Sequence, residues 1–189
     1  MRIISGKHKG RKINPPGNLP VRPTTDMSKE ALFNILNNYF DFEDLKVLDL
    51  FAGTGNISYE FASRGCKNIT VVDVDFGCVK FMKEVVAQFD FNISVVKADV
   101  FKFLDSHRAK YDVVFADPPY NLEQKDFEKL VNLIFENDLV SEEGMLIVEH
   151  SKHTTLDYTE NFSFKKNYGG SVFSFFELPE ENQKNKTSL

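Results

Sequence analysis

The stretch VLDLFAGTGNISYEFASRGCKNITVVDV, residues 47–74, sets two short apolar runs, VLDLF and ITVVDV, on either side of a glycine turn and a segment of helical length. Runs of Val, Leu and Ile this short, bounded by turn residues, read as strands buried on both faces. A helical stretch between two such strands makes them neighbours in a parallel sheet. The pattern continues downstream in ISVVKA (93–98), DVVFAD (112–117) and MLIVEH (145–150). Between the strands, apolar residues recur at helical spacing: Val79, Met82, Val86 and Phe89, then Phe127, Leu130, Val131 and Ile134. A doubly wound α/β domain is predicted.

The flanks depart from that rhythm. FSFKKNYG (162–169) and SVFSFFEL (171–178), joined by Gly169-Gly170, read as a closing antiparallel hairpin, and residues 181–189 form a polar tail. Upstream, Thr24, Thr25 and Asp26 can cap a helix whose apolar face is Leu32, Ile35, Leu36, Tyr39 and Phe40. RIIS (2–5) and RKIN (11–14) read as short strands around a glycine-bounded turn, and Pro15-Pro16-Gly17 then breaks regular structure. The expected organisation is a hairpin and loop over 1–25, a main domain over 26–180 and the tail.

Composition narrows the function. With 42% apolar and 27% charged side chains, the 189 residues suit one domain with a full core. No run approaches the length of a membrane span, and MRIISGKHKGRK lacks the apolar core of a secretory signal, so a cytoplasmic protein is expected. Cys66 and Cys78 are too far apart for a CxxC pair, and His8, His107, His150 and His153 show no ligand spacing, so no metal site is expected. The net charge of -5 is unevenly spread: residues 1–25 carry Arg2, Lys7, Lys9, Arg11, Lys12 and Arg22 and no acid. Such a basic arm is either a solvated face or a phosphate contact.

The chemistry gathers at strand ends, where open α/β sheets bind ligands. The first strand carries Asp49 and runs into Phe51-Ala52-Gly53-Thr54-Gly55, a turn that lets backbone approach a ligand. A dinucleotide site would have a third glycine where Ser58 stands. The second strand ends in Asp73-Val74, where a carboxylate can accept from both hydroxyls of a ribose, and Asp99-Val100 follows the third. Singly, each carboxylate could be a helix cap. Together they suit a ligand with ammonium, ribose, adenine and sulfonium, and suit a phosphate poorly. The fourth strand ends in Asp117-Pro118-Pro119-Tyr120, whose prolines fix φ and remove two donors, leaving an acceptor-rich shelf. The Asp117 carboxylate and Pro118 carbonyl can hold both N–H bonds of an aromatic amino group while Tyr120 stacks on its ring.

DLFAGTG, Asp73 and DPPY, in that order and spacing, resemble a class I S-adenosylmethionine-dependent methyltransferase of the amino-methylating type. MRIISGKHKGRK, RPTTD with KEALFNIL, IVEH and YGG extend the likeness along almost the whole chain, to the bacterial 16S rRNA guanine-N2 methyltransferase family. The resemblance implies a Rossmann-like, mostly parallel seven-stranded sheet with helices on both faces, an antiparallel closing strand and an N-terminal hairpin. It implies S-adenosyl-L-methionine as cofactor, held by Asp49, Phe51, Gly53, Gly55, Asp73, Val74, Asp99 and Val100, and a target guanine at Asp117, Pro118, Pro119 and Tyr120. Arg2, Lys7, Lys9, Arg11, Arg22 and Thr24 would face the RNA, and the partner would be 16S rRNA or the small ribosomal subunit, met by a monomer. Two positions depart from the family: Met27 stands where arginine is frequent, and Asp73 where glutamate is usual. Transfer is expected to be direct, from sulfonium to guanine N2, on a base unstacked from its neighbours.

Adenine-N6 or protein-glutamine methylation would use the same shelf, though often with Asn in place of Asp117. A non-catalytic RNA-binding assembly protein and a nucleotide-cofactor oxidoreductase are the other classes, the last disfavoured by Ser58.

Overall fold

The computed structural model describes residues 1–20 and 25–179. The chain divides into two compact units, Met1–Val100 and Phe101–Leu189.

In the first unit, α1 (Asp26–Leu36) starts where the Thr25 hydroxyl accepts the Ser28 N–H at 3.1 Å. It buries Lys29, Leu32, Phe33 and Leu36. The apolar spacing predicts a helix through Tyr39 and Phe40, but α1 stops at Leu36 and Tyr39 is exposed. Asn37 and Asn38 account for the difference, since the Asn38 amide donates to the Asn34 carbonyl and asparagine competes with the helix for backbone groups. β1 (Lys46–Leu50), α2 (Asn56–Ser63), β2 (Asn68–Asp73), α3 (Phe76–Phe89) and β3 (Ile93–Lys97) follow, with β1 and β3 both parallel to β2. The inner face of α3 uses Val79, Met82 and Val85, where the predicted spacing used Val86.

The first thirteen residues form a hairpin with one bridge, Arg2 to Lys12, instead of the two paired strands predicted. The N–H groups of Ile4 and Ser5 turn away from the opposite arm to the Glu60 carboxylate on α2, at 2.8 and 2.9 Å. Ile3 and Ile13 point inward, and Arg2, Arg11 and Lys12 stay exposed.

α4 (Val100–Ser106) begins at the boundary. In the second unit, β4 (Tyr111–Ala116) runs parallel to β5 (Val140–Ser151), with a register shift after Tyr111. β5 is twice its predicted length because Tyr111 also pairs with Val140, upstream of the apolar run. α5 (Gln124–Glu136) buries Phe127, Leu130, Val131 and Ile134, the four residues its spacing predicts. β7 (Ser171–Glu177) is antiparallel to both β5 and β6 (Phe162–Tyr168), which is the predicted closing hairpin. The seven strands make a mostly parallel sheet with an antiparallel close, the fold class expected.

Candidate functional site

The glycine turn is strained. Phe51 has φ of +57°, which a bulky residue rarely adopts, and Gly53 and Gly55 follow at +52° and +79°. β1 therefore ends at Leu50, one residue short of its apolar run. A Cβ on Gly55 would lie 2.7 Å from the ring of Tyr59, so the turn sits directly on that buried ring. Backbone strain of this kind gathers where a ligand is bound.

Three carboxylates line the first unit in unequal ways. Asp49, on β1, is buried and accepts from the Ser58 hydroxyl at 2.6 Å. Burial pushes its carboxyl up to about 7 against that hydrogen bond. Asp73 accepts the Gly53 N–H at 2.7 Å through one oxygen and the Asp75 N–H at 2.8 Å through the other. Burial still raises its pKa above the ordinary carboxylate value. Helix capping falls to Asp75, which accepts the Cys78 N–H at the start of α3, so Asp73 is left to fix the glycine turn. Asp99 is exposed between β3 and α4, Val74 is exposed after β2, and Val100 is buried as the first residue of α4.

Sequence reading missed several of these partners. Ser58 is more than an absent glycine, because it orients Asp49. The hydroxyl of buried Tyr59 has no hydrogen-bond partner among the described residues. Lys29 lies fully buried against Asn56 and Glu60, and a signal for it existed in its place on the stripe 29, 32, 33, 36.

In the second unit, Asp117 is half-buried after β4, Pro118 is buried, and Pro119 and Tyr120 are exposed. The Leu122 N–H donates to the Pro119 carbonyl at 2.9 Å and closes the turn. The next helix is pinned by Gln124, whose amide donates to the Thr155 carbonyl at 2.7 Å and accepts the Thr155 N–H at 3.2 Å. His150 of IVEH is buried, its Nε2 bonded to the Ser174 hydroxyl at 2.8 Å on β7, so that motif secures the sheet.

On the arm, Arg2 pairs with Asp26 at 3.2 Å, and Lys7, Lys9 and Arg11 are exposed. Met27 is exposed beside Asp26. Arg22 and Thr24 lie outside the described residues.

Residues 1–177 match the model of the family described as conserved hypothetical protein 95. Ribosomal RNA small subunit methyltransferase D of Escherichia coli (strain K12) is 32% identical over 79% of this chain and 74% of its own length. The protein of the same name from Haemophilus influenzae is 31% identical over 93% of this chain and 91% of its own. A hypothetical protein of Thermus thermophilus superposes with a TM-score of 0.82, at 26% identity, over 94% of this chain and 99% of that one. The chain belongs to the conserved hypothetical protein 95 family, and proteins named ribosomal RNA small subunit methyltransferase D are among its relatives.

Proposed function

We infer that this chain is an S-adenosylmethionine-dependent ribosomal RNA methyltransferase, and we propose that it methylates the exocyclic N2 of a guanine in 16S rRNA, free or within the small ribosomal subunit, in the cytoplasm. The observation that carries the reading is a family match running through the basic arm, the glycine turn and Asp117-Pro118-Pro119-Tyr120 together. The arm separates it from protein-glutamine methylation, which needs no phosphate contact.

The donor set of the first unit fits S-adenosylmethionine. Asp49, Asp73 and Asp99 offer acceptors to an ammonium, a ribose diol and an adenine amine, and would repel a pyrophosphate. Phe51, Gly53 and Gly55 bring backbone to the methionine end, and Val74 and Val100 flank the adenine. Bound there, the cofactor supplies a methyl group already activated by its sulfonium.

What the protein adds is orientation and charge. Asp117 and the Pro118 carbonyl accept the two N–H bonds of the guanine amino group and turn its lone pair toward the methyl. Pro119 keeps the turn rigid, and Tyr120, exposed, stacks on the base. As nitrogen forms its new bond it becomes cationic, and Asp117 stabilises that charge until a proton leaves to Asp117 or water. Arg2, Lys7, Lys9 and Arg11, with Arg22 and Thr24, hold the flanking RNA.

The test is transfer of labelled methyl to unmethylated 16S rRNA and to small subunits, by wild type and Asp117→Ala. Wild type should label one guanine at N2, and the substitution should cut turnover by about a hundredfold or more while cofactor affinity holds. Equal losses in turnover and cofactor affinity would move Asp117 to the cofactor site. Absence of label in either RNA would redirect the search to DNA and protein amides.

A further inference from the structure

Lys29 has no exposed surface, yet its ammonium is fully engaged. Nζ donates to the Arg2 carbonyl at 2.7 Å and to the Asn56 side-chain oxygen at 2.9 Å, and lies 3.3 Å from the Glu60 carboxylate. These acceptors belong to three places: the bridge residue Arg2 of the arm, the first residue after the glycine turn, and the next turn of α2. Glu60 also gathers the Ile4 and Ser5 N–H groups and, at 3.0 Å, the Arg64 guanidinium. The arm touches the turn a second time, where the Thr54 hydroxyl lies 3.9 Å from the Met1 sulfur.

A buried ammonium is a costly way to fill space. Well-packed apolar residues replace buried ion pairs with equal or better stability. What an apolar side chain could not do is hold a main-chain carbonyl of the arm and the side chain of Asn56 at one point. Gly6 fits the arm to α2 just as closely, with the Lys7 N–H on the Ser63 carbonyl at 2.7 Å. The arm and the turn therefore share a single fixed frame.

We propose that Lys29 is a positioning residue for the cofactor: its ammonium clamps Asn56, and through it the glycine turn, to the docked arm at Arg2, so that tight S-adenosylmethionine binding requires the clamp. The proposal rests on the glycine turn being the cofactor site. Lys29 touches neither donor nor base, so its loss should weaken cofactor binding and leave the chemical step alone.

Cofactor titration without RNA tests it, on the full chain. Lys29→Met leaves the buried Glu60 carboxylate with Arg64 in place of two cations, so Lys29→Met/Glu60→Gln, which removes the Lys29 and Glu60 charges together, is measured beside it with thermal melts of each. Both variants should bind S-adenosylmethionine on the order of tenfold more weakly than wild type, with kcat at saturating cofactor near wild type. The double variant should recover melting temperature without recovering affinity. Wild-type affinity in the double variant, or affinity that returns in step with melting temperature, would make Lys29 a packing residue and overturn the clamp. Wild type that binds no S-adenosylmethionine overturns the proposed cofactor and the clamp together. Intact cofactor binding with no RNA methylation would sink the substrate reading alone and leave the clamp standing.

Discussion

Asp49, in its proposed place beside the cofactor's ammonium, would tie cofactor affinity to pH. Its carboxyl is raised from 3.8 in the unfolded chain to about 7 by burial. Between those values the folded state holds a proton that the unfolded state has lost, so its contribution to stability falls as pH rises through that window. An ammonium placed beside the carboxyl favours its ionised form. Cofactor affinity should therefore rise from about pH 6 to about pH 7.5 as Asp49 ionises, which titration calorimetry would read. A flat profile, unchanged in Asp49→Asn, would remove Asp49 from the cofactor site. The carboxylates were legible because strand ends are read from apolar runs. Ser58 was legible only as a missing glycine, since a hydroxyl meeting Asp49 nine residues away depends on how α2 packs on the sheet.

At the scale of elements, the joint between the arm and α2 depends on Gly6. Its φ is +78°, and a Cβ there would stand 1.8 Å from the Ser63 carbonyl oxygen, a backbone atom that cannot swing aside. Gly10 at the other end of the turn has φ of +83° with open space around it. Gly6→Ala should therefore lower the melting temperature by about 5 °C or more, and Gly10→Ala by clearly less, because only the first adds a collision to the strain of φ. Equal losses would mean that the arm is not seated on α2. Periodicity found the buried face of α5 to the residue, because its four apolar positions meet a core on one side only. It ran α1 too far, because Tyr39 and Phe40 keep the spacing after Asn37 and Asn38 have ended the helix. It sets Lys29 on the buried stripe, yet a lysine in KEALF reads as a solvated residue until Glu60 arrives from another helix.

For the whole molecule, the balance of charge makes RNA binding a contest. The chain is net acidic at -5, yet Arg2, Lys7, Lys9, Arg11 and Lys12 are presented together on the hairpin. If each of these cations meets a phosphate, affinity for single-stranded RNA should fall on the order of a hundredfold between about 50 and 200 mM salt. Filter binding across that range reads the slope, and a salt-insensitive affinity would place the RNA contact elsewhere.

Asp73 carries one further consequence. Both of its oxygens already hold main-chain N–H groups, one in the glycine turn and one leading to α3, so its rotamer is set before any ligand arrives. Each oxygen keeps a second lone pair for a ribose hydroxyl. If Asp73 holds the ribose as proposed, the ordering cost of that recognition is met during folding, and binding would spend little of its free energy on freezing the protein.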